Sequence, residues 1–350
     1  MAQMTKMFAI VLVLAICLTG CVTPARGPVA PGEREAAKAR ALDCLRRGIQ
    51  YPHNPAVRLQ AVEAYEQLPG EEGLPWVRSA LLDEHPGVRF AACMVLGTRR
   101  DRVAHSALRQ RLEDDDPNVR VGALFALHRL GDEGQTGKLA WYLLSHQEPT
   151  VRRNAALVLG RLEEPGVVKT LARAMRDTDP GVRDHALEAM AILGNHEARQ
   201  QLRLMANSGI GQEEVFALNA LIATRDPTCG DLMRYKLQTG VHLETRLVAV
   251  RGLGVLGKAE GLQEALRAIR FNRPRTSEPD DPPEAQVLRT RQLAAAALGA
   301  LGDPTALSAL ERMMNDSDDP RLQVAAAKAI LEIISIQMGQ RMPFATGQAP

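Results

Sequence analysis

Apolar residues recur at steps of three and four along most of the chain, and short polar turns interrupt them at regular intervals. Between positions 119 and 130 the apolar stripe consists of Val119, Ala123, Ala126, Leu127 and Leu130. This spacing predicts an amphipathic helix, and the glycine that follows is where helices commonly end. A second amphipathic segment, KLAWYLLSH, occupies 138–146 and leads into the next turn. The pattern therefore predicts a unit of two short helices.

The unit repeats with a period of 31 or 32 residues. The turn prolines that mark it are Pro55, Pro86, Pro117, Pro149 and Pro180. The period continues through a copy at Glu214 that lacks both proline and arginine, then through copies at Arg246 and Arg291, and a last copy begins at Asp318. Nine units result. Since a pair of short helices cannot bury its apolar stripe alone, we expect the units to stack, with the copy at Glu214 as the weak joint.

Each turn carries residues suited to starting a helix. The residues that precede the turn proline, and that we expect to be helix N-caps, are Asn54, His85, Asp116, Glu148, Asp179 and Asp319. An arginine ladder runs through the same turns at Arg58, Arg89, Arg120, Arg152, Arg183, Arg246 and Arg291. We expect these arginines to pair with cap acids at i,i+4 spacing and with neighbouring repeats. A row of anion sites is the alternative.

The wording D-P-x-V-R, followed by A-x-x-A-L-x-x-L-G, resembles the HEAT-repeat superfamily, and its short period resembles the phycobilisome-lyase-type HEAT-like repeats. The resemblance covers residues 35–336. It implies an all-α fold, an α-solenoid forming a right-handed superhelix of about nine helix pairs, with the second helix of each pair on the concave side. At ~10 Å per layer, the stack would extend roughly 90 Å. We expect residues 271–286 to form an inserted loop and residues 337–350 a disordered tail.

The amino terminus has the features of a bacterial export signal. Lys6 precedes an apolar run from Phe8 to Leu18, which is too short to span a bilayer but typical of a signal-peptide core. The run ends in LTGC, which resembles the lipobox of bacterial lipoproteins. The resemblance implies removal of residues 1–20 and lipidation of Cys21, with residues 21–34 as lipidated cysteine and flexible tether. An ordinary secretory signal with an incidental cysteine is the alternative.

Charge and residue types argue against nucleic-acid binding and catalysis. Lys and Arg number 43 against 41 Asp and Glu, so the basic surplus of a nucleic-acid-binding protein is missing. No H-E-x-x-H, G-x-S-x-G or phosphate-binding glycine loop is present, and we expect no enzyme activity, metal or cofactor. The acid clusters at 113–116 and 316–319 lack the spacing of calcium loops and are interpreted as caps. A disulfide among Cys44, Cys93 and Cys229 is left open.

Three functions fit this sequence. The favoured one is a membrane-anchored protein–protein interaction scaffold of the bacterial cell envelope. The others are a structural envelope component and an enzyme similar to the phycobilin lyases, whose action in the cytosol suits an exported lipoprotein poorly. Val22 after the lipidated cysteine, in place of aspartate, favours the outer membrane, facing the periplasm, over the inner membrane. We expect a monomeric solenoid whose partners are one or more envelope proteins.

Three successive helices carry apolar residues in addition to those that form their apolar stripe. On a helical wheel the second and sixth positions after Val88, Val119 and Val151 fall opposite the stripe. These positions supply a predicted partner-binding patch of Phe90, Met94, Val121, Phe125 and Leu157. The alternative is that tight curvature or a neighbouring repeat buries these side chains as ordinary core.

Overall fold

Nine helix pairs make up the part of the chain that the structure describes, as the repeat count predicts. The computed structural model describes residues 31–274 and 281–340. The pairs are α1 (Pro31–Ile49) with α2 (Pro55–Ala64), α3 (Leu74–Ser79) with α4 (Pro86–Thr98), α5 (His105–Gln110) with α6 (Pro117–Arg129), α7 (Lys138–Ser145) with α8 (Pro149–Leu162), α9 (Val168–Ala174) with α10 (Pro180–Ile192), α11 (His196–Met205) with α12 (Gly211–Thr224), α13 (Gly230–Thr239) with α14 (Leu243–Val255), α15 (Leu262–Ala268) with α16 (Pro283–Leu301), and α17 (Leu307–Asp316) with α18 (Pro320–Gln337). We refer to them as pairs 1 to 9. The all-α solenoid prediction is confirmed.

The second helix of each pair, which we call the inner helix, begins in most cases as its turn residues predict. The side chains of Asn54, His85, Asp116, Asp179 and Asp319 each accept a hydrogen bond from a backbone N–H of the first turn. In each case proline occupies the first helical position, where a backbone N–H would have no helical acceptor. Glu148 is the exception, since its side chain makes no cap bond to α8.

The second helices of the pairs form a closed inner ring. Each packs against the second helix of the next pair, from α2 through α18, and α18 then packs against both α2 and α1. One apolar cluster consequently joins the first and last helices described, with Ala41 and Leu45 of α1 in the same core as Ile330 of α18. Gly48 lies in this seam, where a Cβ atom would stand 2.8 Å from the Cβ of Ala61 and 2.9 Å from Val324 Cγ2.

The expectation of an open stack roughly 90 Å long is therefore wrong. Terminal repeats of an open solenoid need a polar outer face, because no neighbour covers them. Here each end covers the other, so the apolar faces of α1 and α18 are buried without such a cap. Curvature accumulated over nine pairs brings the ends together.

Close backbone contact joins the inner helices near their carboxyl ends. A Cβ atom on Gly97 would lie 2.7 Å from the Cα of Ala126, and one on Gly160 would lie 2.8 Å from the Cα of Ala189. Real Cβ atoms do not approach backbone so closely, so these positions require glycine. The glycine of the repeated V-L-G sequence therefore lets neighbouring helices touch, in addition to lying near the end of its helix.

Two helices begin earlier in the chain than the sequence predicts. α1 begins at Pro31, so the helical array starts inside the segment expected to be tether. α16 begins at Pro283, inside the predicted 271–286 insertion, and it runs for 19 residues. Part of the surplus between α15 and α16 of pair 8 therefore lengthens a helix, because residues 283–287 extend the start of α16 instead of forming loop.

Candidate functional site

In pairs 1, 2 and 4 the ladder arginine links its pair to the next. In the regular copies, Nε of Arg58, Arg89 and Arg152 lies 2.8, 3.0 and 2.8 Å from a carboxylate oxygen of Asp83, Asp114 and Asp177. Each acid stands 25 residues after its arginine, in the turn of the following pair. Nη1 of each arginine also donates to two carbonyl groups of its own turn. The predicted i,i+4 pairing with the cap acid is wrong, whereas the predicted pairing between repeats is present.

Two ladder arginines lack the acid. The positions 25 residues after Arg120 and Arg183 hold Ser145 and Ser208. Nε of Arg120 is buried and has no hydrogen-bond partner within the described residues. Arg183 donates to the carbonyls of Asp177 and Thr178 in its own turn.

The later ladder arginines have other acceptors. Nε of Arg246 donates to Glu264 at 2.9 Å, and Nε of Arg291 donates to the carbonyl of Ile269 at 3.0 Å. Arg246 also donates to the carbonyls of its own turn, as the regular members do. Four ladder arginines thus link successive pairs, at Arg58, Arg89, Arg152 and Arg246, and the others bond within their own pair or leave Nε without an acceptor among the described residues.

Pair 6 makes this link with the charges exchanged. Glu214, which occupies the arginine slot, is buried and accepts hydrogen bonds from Lys236 Nζ at 2.7 Å and Thr245 Oγ1 at 3.0 Å. Burial alone would raise the pKa of Glu214, but these two bonds, the charge of Lys236 and the backbone N–H of Gly209 together hold the pKa below its ordinary value. The sequence showed the loss of arginine here, but not the lysine in the next pair that compensates for it.

The predicted partner patch is not a surface. Met94, Val121 and Phe125 are 5 %, 0 % and 2 % exposed, and Phe90 and Leu157 are partly buried. Phe125 lies over Gly97 of the neighbouring inner helix, and Phe90 lies over Gly122. These reciprocal aromatic–glycine contacts between α4 and α6 bury the side that the helical wheel assigned to solvent. Gly97 and Gly122, which lie inside these two helices, were the signal in the sequence that could have indicated this packing.

Polar side chains meet across the end of the ring where the inner helices terminate, which we call the C-terminal mouth. Glu66 follows α2, and its Oε1 accepts from Arg161 Nη1 at 2.6 Å and from Thr98 Oγ1 at 3.2 Å. Arg161 belongs to pair 4 and Glu66 to pair 1, so their contact crosses the opening. The opening at this end is therefore narrow enough for side chains to span it. Sequence reasoning missed this convergence, because the residues are up to 95 positions apart.

Charged groups of both signs line the opening further in. Arg251 Nη1 donates to Asn219 Oδ1 at 2.8 Å. Burial lowers the pKa of Arg251, and the carboxylate of Glu332 opposes that shift. Burial also raises the pKa of Glu63, against the charge of Lys328. The centre of the ring is thus polar, while the apolar core lies between the helices.

The other candidate groups have structural surroundings. Cys44, Cys93 and Cys229 are buried free thiols, and burial raises the pKa of Cys93 to about 12. His128 Nε2 lies 2.9 Å from Glu164. Within residues 31–274 and 281–340, no three His, Cys, Asp or Glu side chains converge as metal ligands would.

The predicted lipidation site Cys21 and the signal segment 1–20 lie outside the described residues, as does most of the predicted tail 337–350. Of the helices described, none combines the length and the apolar character that crossing a bilayer would require.

Exposed apolar side chains occur at matching positions of pairs 6 and 7. Leu204 and Tyr235, one period apart on α11 and α13, are 74 % and 53 % exposed. Ile210 and Val241, again one period apart, are 56 % and 70 % exposed in the turns that follow those helices. We call these four residues the turn patch. The turn patch lies at the end of the ring where the inner helices begin, which is opposite the C-terminal mouth.

Comparison with known proteins agrees with this architecture. The family model for HEAT repeats matches residues 74–140 and 136–221, and the model for the PBS lyase HEAT-like repeat matches residues 290–316. No curated protein sequence matches the chain.

Solved structures are similar to the chain only at a low level. Human deoxyhypusine hydroxylase is 19 % identical over 87 % of this chain and 99 % of its own, with a TM-score of 0.37. The complex of CpcE and CpcF of phycocyanin lyase from Nostoc is 22 % identical over 76 % and 98 %, with a TM-score of 0.36. Escherichia coli YibA is 17 % identical over 87 % and 97 %, with a TM-score of 0.33. Likeness at this level says nothing about activity.

Proposed function

Because the chain belongs to the HEAT-repeat family, we propose that it is a protein–protein interaction scaffold, and that a lipid on Cys21 anchors it in the bacterial cell envelope. The turn patch is the observation that supports the scaffold role. Leu204 and Tyr235 lie at equivalent positions of the first helices of two successive pairs, and Ile210 and Val241 lie in the turns that follow, so exposed apolar side chains recur at the same end of neighbouring pairs. Apolar side chains grouped on a surface favour binding to a partner protein that buries them.

Partner capture tests the scaffold. We expect the double variant Leu204→Asp/Tyr235→Asp to lose the proteins that crosslink to the wild type in envelope extracts, because two charges would be buried at the contact. The melting temperature should stay within a few degrees, since both side chains are more than half exposed. Leu82→Asp, at a 75 % exposed leucine of pair 2, is the matched control and should retain capture. Equal capture by the double variant would refute the turn patch as the contact.

Acyl labelling tests the anchor. The lipobox resemblance implies three acyl chains on Cys21, which exceed the two signals needed for stable membrane attachment. Cys21→Ser should therefore abolish labelling and release the protein from membranes. A Cys21→Ser protein that still carries label and sediments with membrane would contradict the lipoprotein proposal. The role we propose is non-catalytic, and bilin absorbance in the purified protein would count against it.

A further inference from the structure

An open cavity of about 720 Å³ lies between pairs 8 and 9, on the side of the ring where the inner helices begin. Its walls come from the end of α15, the first turns of α16, the end of α17 and the start of α18. Pockets that enclose small organic ligands have volumes of this order. The cavity is therefore large enough for a ligand much bigger than an inorganic ion.

The cavity occupies the place of a ladder ion pair. Asp316 stands 25 residues after Arg291, which is the spacing that joins Arg58 to Asp83. Among the described residues, however, no ion pair joins Arg291 to Asp316, because Nε of Arg291 donates to the carbonyl of Ile269 at 3.0 Å. Both side chains line the cavity instead. Two groups that bond directly in the regular copies thus lie on either side of an open space.

Arg291 and Asp316 have bonding capacity that the described part of the chain does not use. Arg291 is partly buried, and its two Nη groups have no hydrogen-bond partner there. Asp316 makes neither a side-chain hydrogen bond nor an ion pair within the same residues. Asp319, on the same wall, is already paired, since its carboxylate accepts from Nε and Nη2 of Arg321 at 3.0 and 2.7 Å. The cavity therefore presents one available guanidinium group and one available carboxylate.

The remaining lining combines an apolar floor with a rim of mixed charge. Met313 and Leu322 are each only 4 % exposed, and Val287 of α16 lines the cavity beside them. The exposed charged side chains at the rim are two of each sign, namely Arg270, Arg312, Glu284 and Asp318. Because the rim charges balance, the cavity favours a ligand that carries both charges over a simple anion or cation.

We propose that this cavity binds a short free peptide with an apolar side chain. Its terminal carboxylate would contact the Nη groups of Arg291, whose planar fork matches a carboxylate, and its terminal ammonium group would contact Asp316. Its apolar side chain would cover Met313 and Leu322 and lose contact with water. The proposal goes beyond the scaffold role and is independent of it, because the turn patch belongs to pairs 6 and 7.

Peptides with blocked ends test both contacts on the unaltered protein. The full-length chain should bind alanyl-leucyl-alanine in calorimetry. The N-acetylated and the C-amidated forms should each bind roughly tenfold or more weakly, as expected when a hydrogen bond between charged groups is lost. Absence of binding by the free peptide would overturn the proposal. So would a blocked form that binds as tightly as the free peptide, because recognition would then not depend on that charge.

Variants assign each end of the peptide to its side chain. Asp316→Asn should weaken binding of the free peptide about tenfold but leave the affinity for the N-acetylated form unchanged, because that form has no ammonium group. Arg291→Gln should behave in the same way towards the C-amidated form. A variant that weakens free and blocked peptides equally would refute the assignment, since a merely structural change produces that result.

Matched controls remove the same charges outside the cavity. Asp115→Asn neutralises an exposed acid in the turn before α6, and Arg183→Gln neutralises a ladder arginine that donates to carbonyls of its own turn. Both should bind the free peptide like the wild type. If they weakened binding as much as the cavity variants, the overall charge of the protein would explain the effect, and the proposal would be wrong.

Discussion

Pairs 4 and 6 link to their successors through the same slot with opposite charges. Arg152 and Asp177 remain partly accessible, with 12 % of each side chain exposed, and Arg152 has backbone carbonyls as additional acceptors. Glu214 and Lys236 are 6 % and 7 % exposed, and Thr245 completes the group. A pair that keeps some contact with water and has alternative partners tolerates the loss of one member, but a more deeply buried pair is left with an uncompensated charge. The copy that departs most from the repeat thus holds the most vulnerable link.

Loss of one partner in pair 6 should have the largest effect. Lys236→Met leaves the Glu214 carboxylate buried with only neutral donors, Thr245 and the backbone N–H of Gly209, and we expect the free energy of unfolding to fall by about 3–5 kcal/mol. Chemical denaturation measures this. Glu214→Leu/Lys236→Met removes both charges and should recover most of the loss, because two apolar side chains need no pairing. If single and double variants were equally destabilised, packing rather than charge would hold the joint.

Loss of the arginine in pair 4 should have a smaller effect. Arg152→Met removes hydrogen bonds to a charged acceptor, but Asp177 still reaches water and still accepts the backbone N–H of Asp179. We expect a loss of about 2 kcal/mol by chemical denaturation. Arg183→Met is the matched control, because that arginine donates only to turn carbonyls among the described contacts, and it should lose less than half as much.

The pH dependence sharpens the same test. Hydrogen bonds from Arg152 hold the pKa of Asp177 below its ordinary value. A depressed carboxylate pKa stabilises the fold above the ordinary pKa of aspartate, and this contribution is lost as pH falls through the depressed value. The stability difference between wild type and Arg152→Met, followed by denaturation midpoints, should therefore be constant near neutrality and shrink in acid. A difference that is independent of pH would contradict the ion pair.

The smallest effect is a gain in pair 3. Ser145 stands where the regular ladder has an aspartate, and Arg120 Nε is buried without a partner among the described residues. Ser145→Asp should raise the free energy of unfolding by up to about 1 kcal/mol, as expected for a partly exposed pair. In an Arg120→Met background the gain should vanish, which a double-mutant cycle would detect. A gain that survives in that background would come from somewhere other than the ladder.

The expectation that pair 6 is a weak joint rested on its missing proline and arginine. That expectation stays a prediction, and hydrogen exchange would test it. The buried group of Glu214, Lys236 and Thr245 is a link of a kind that a search for the repeat wording does not detect, because lysine and threonine follow no repeated pattern. The absence of the motif residues from a repeat is therefore weak evidence that the repeat lacks a link to the next one.

The sequence by itself determined the local structure. Period, helix pairing and five of six N-caps follow from apolar spacing and turn chemistry, which act within a few residues. Tertiary structure decided what depends on distant residues: the closed ring, the burial of Phe125 over Gly97, and the meeting of Arg161 with Glu66. The physical reason is that each pair adds a small rotation to the one before. No single repeat encodes whether nine such rotations leave two open ends or bring α18 onto α1.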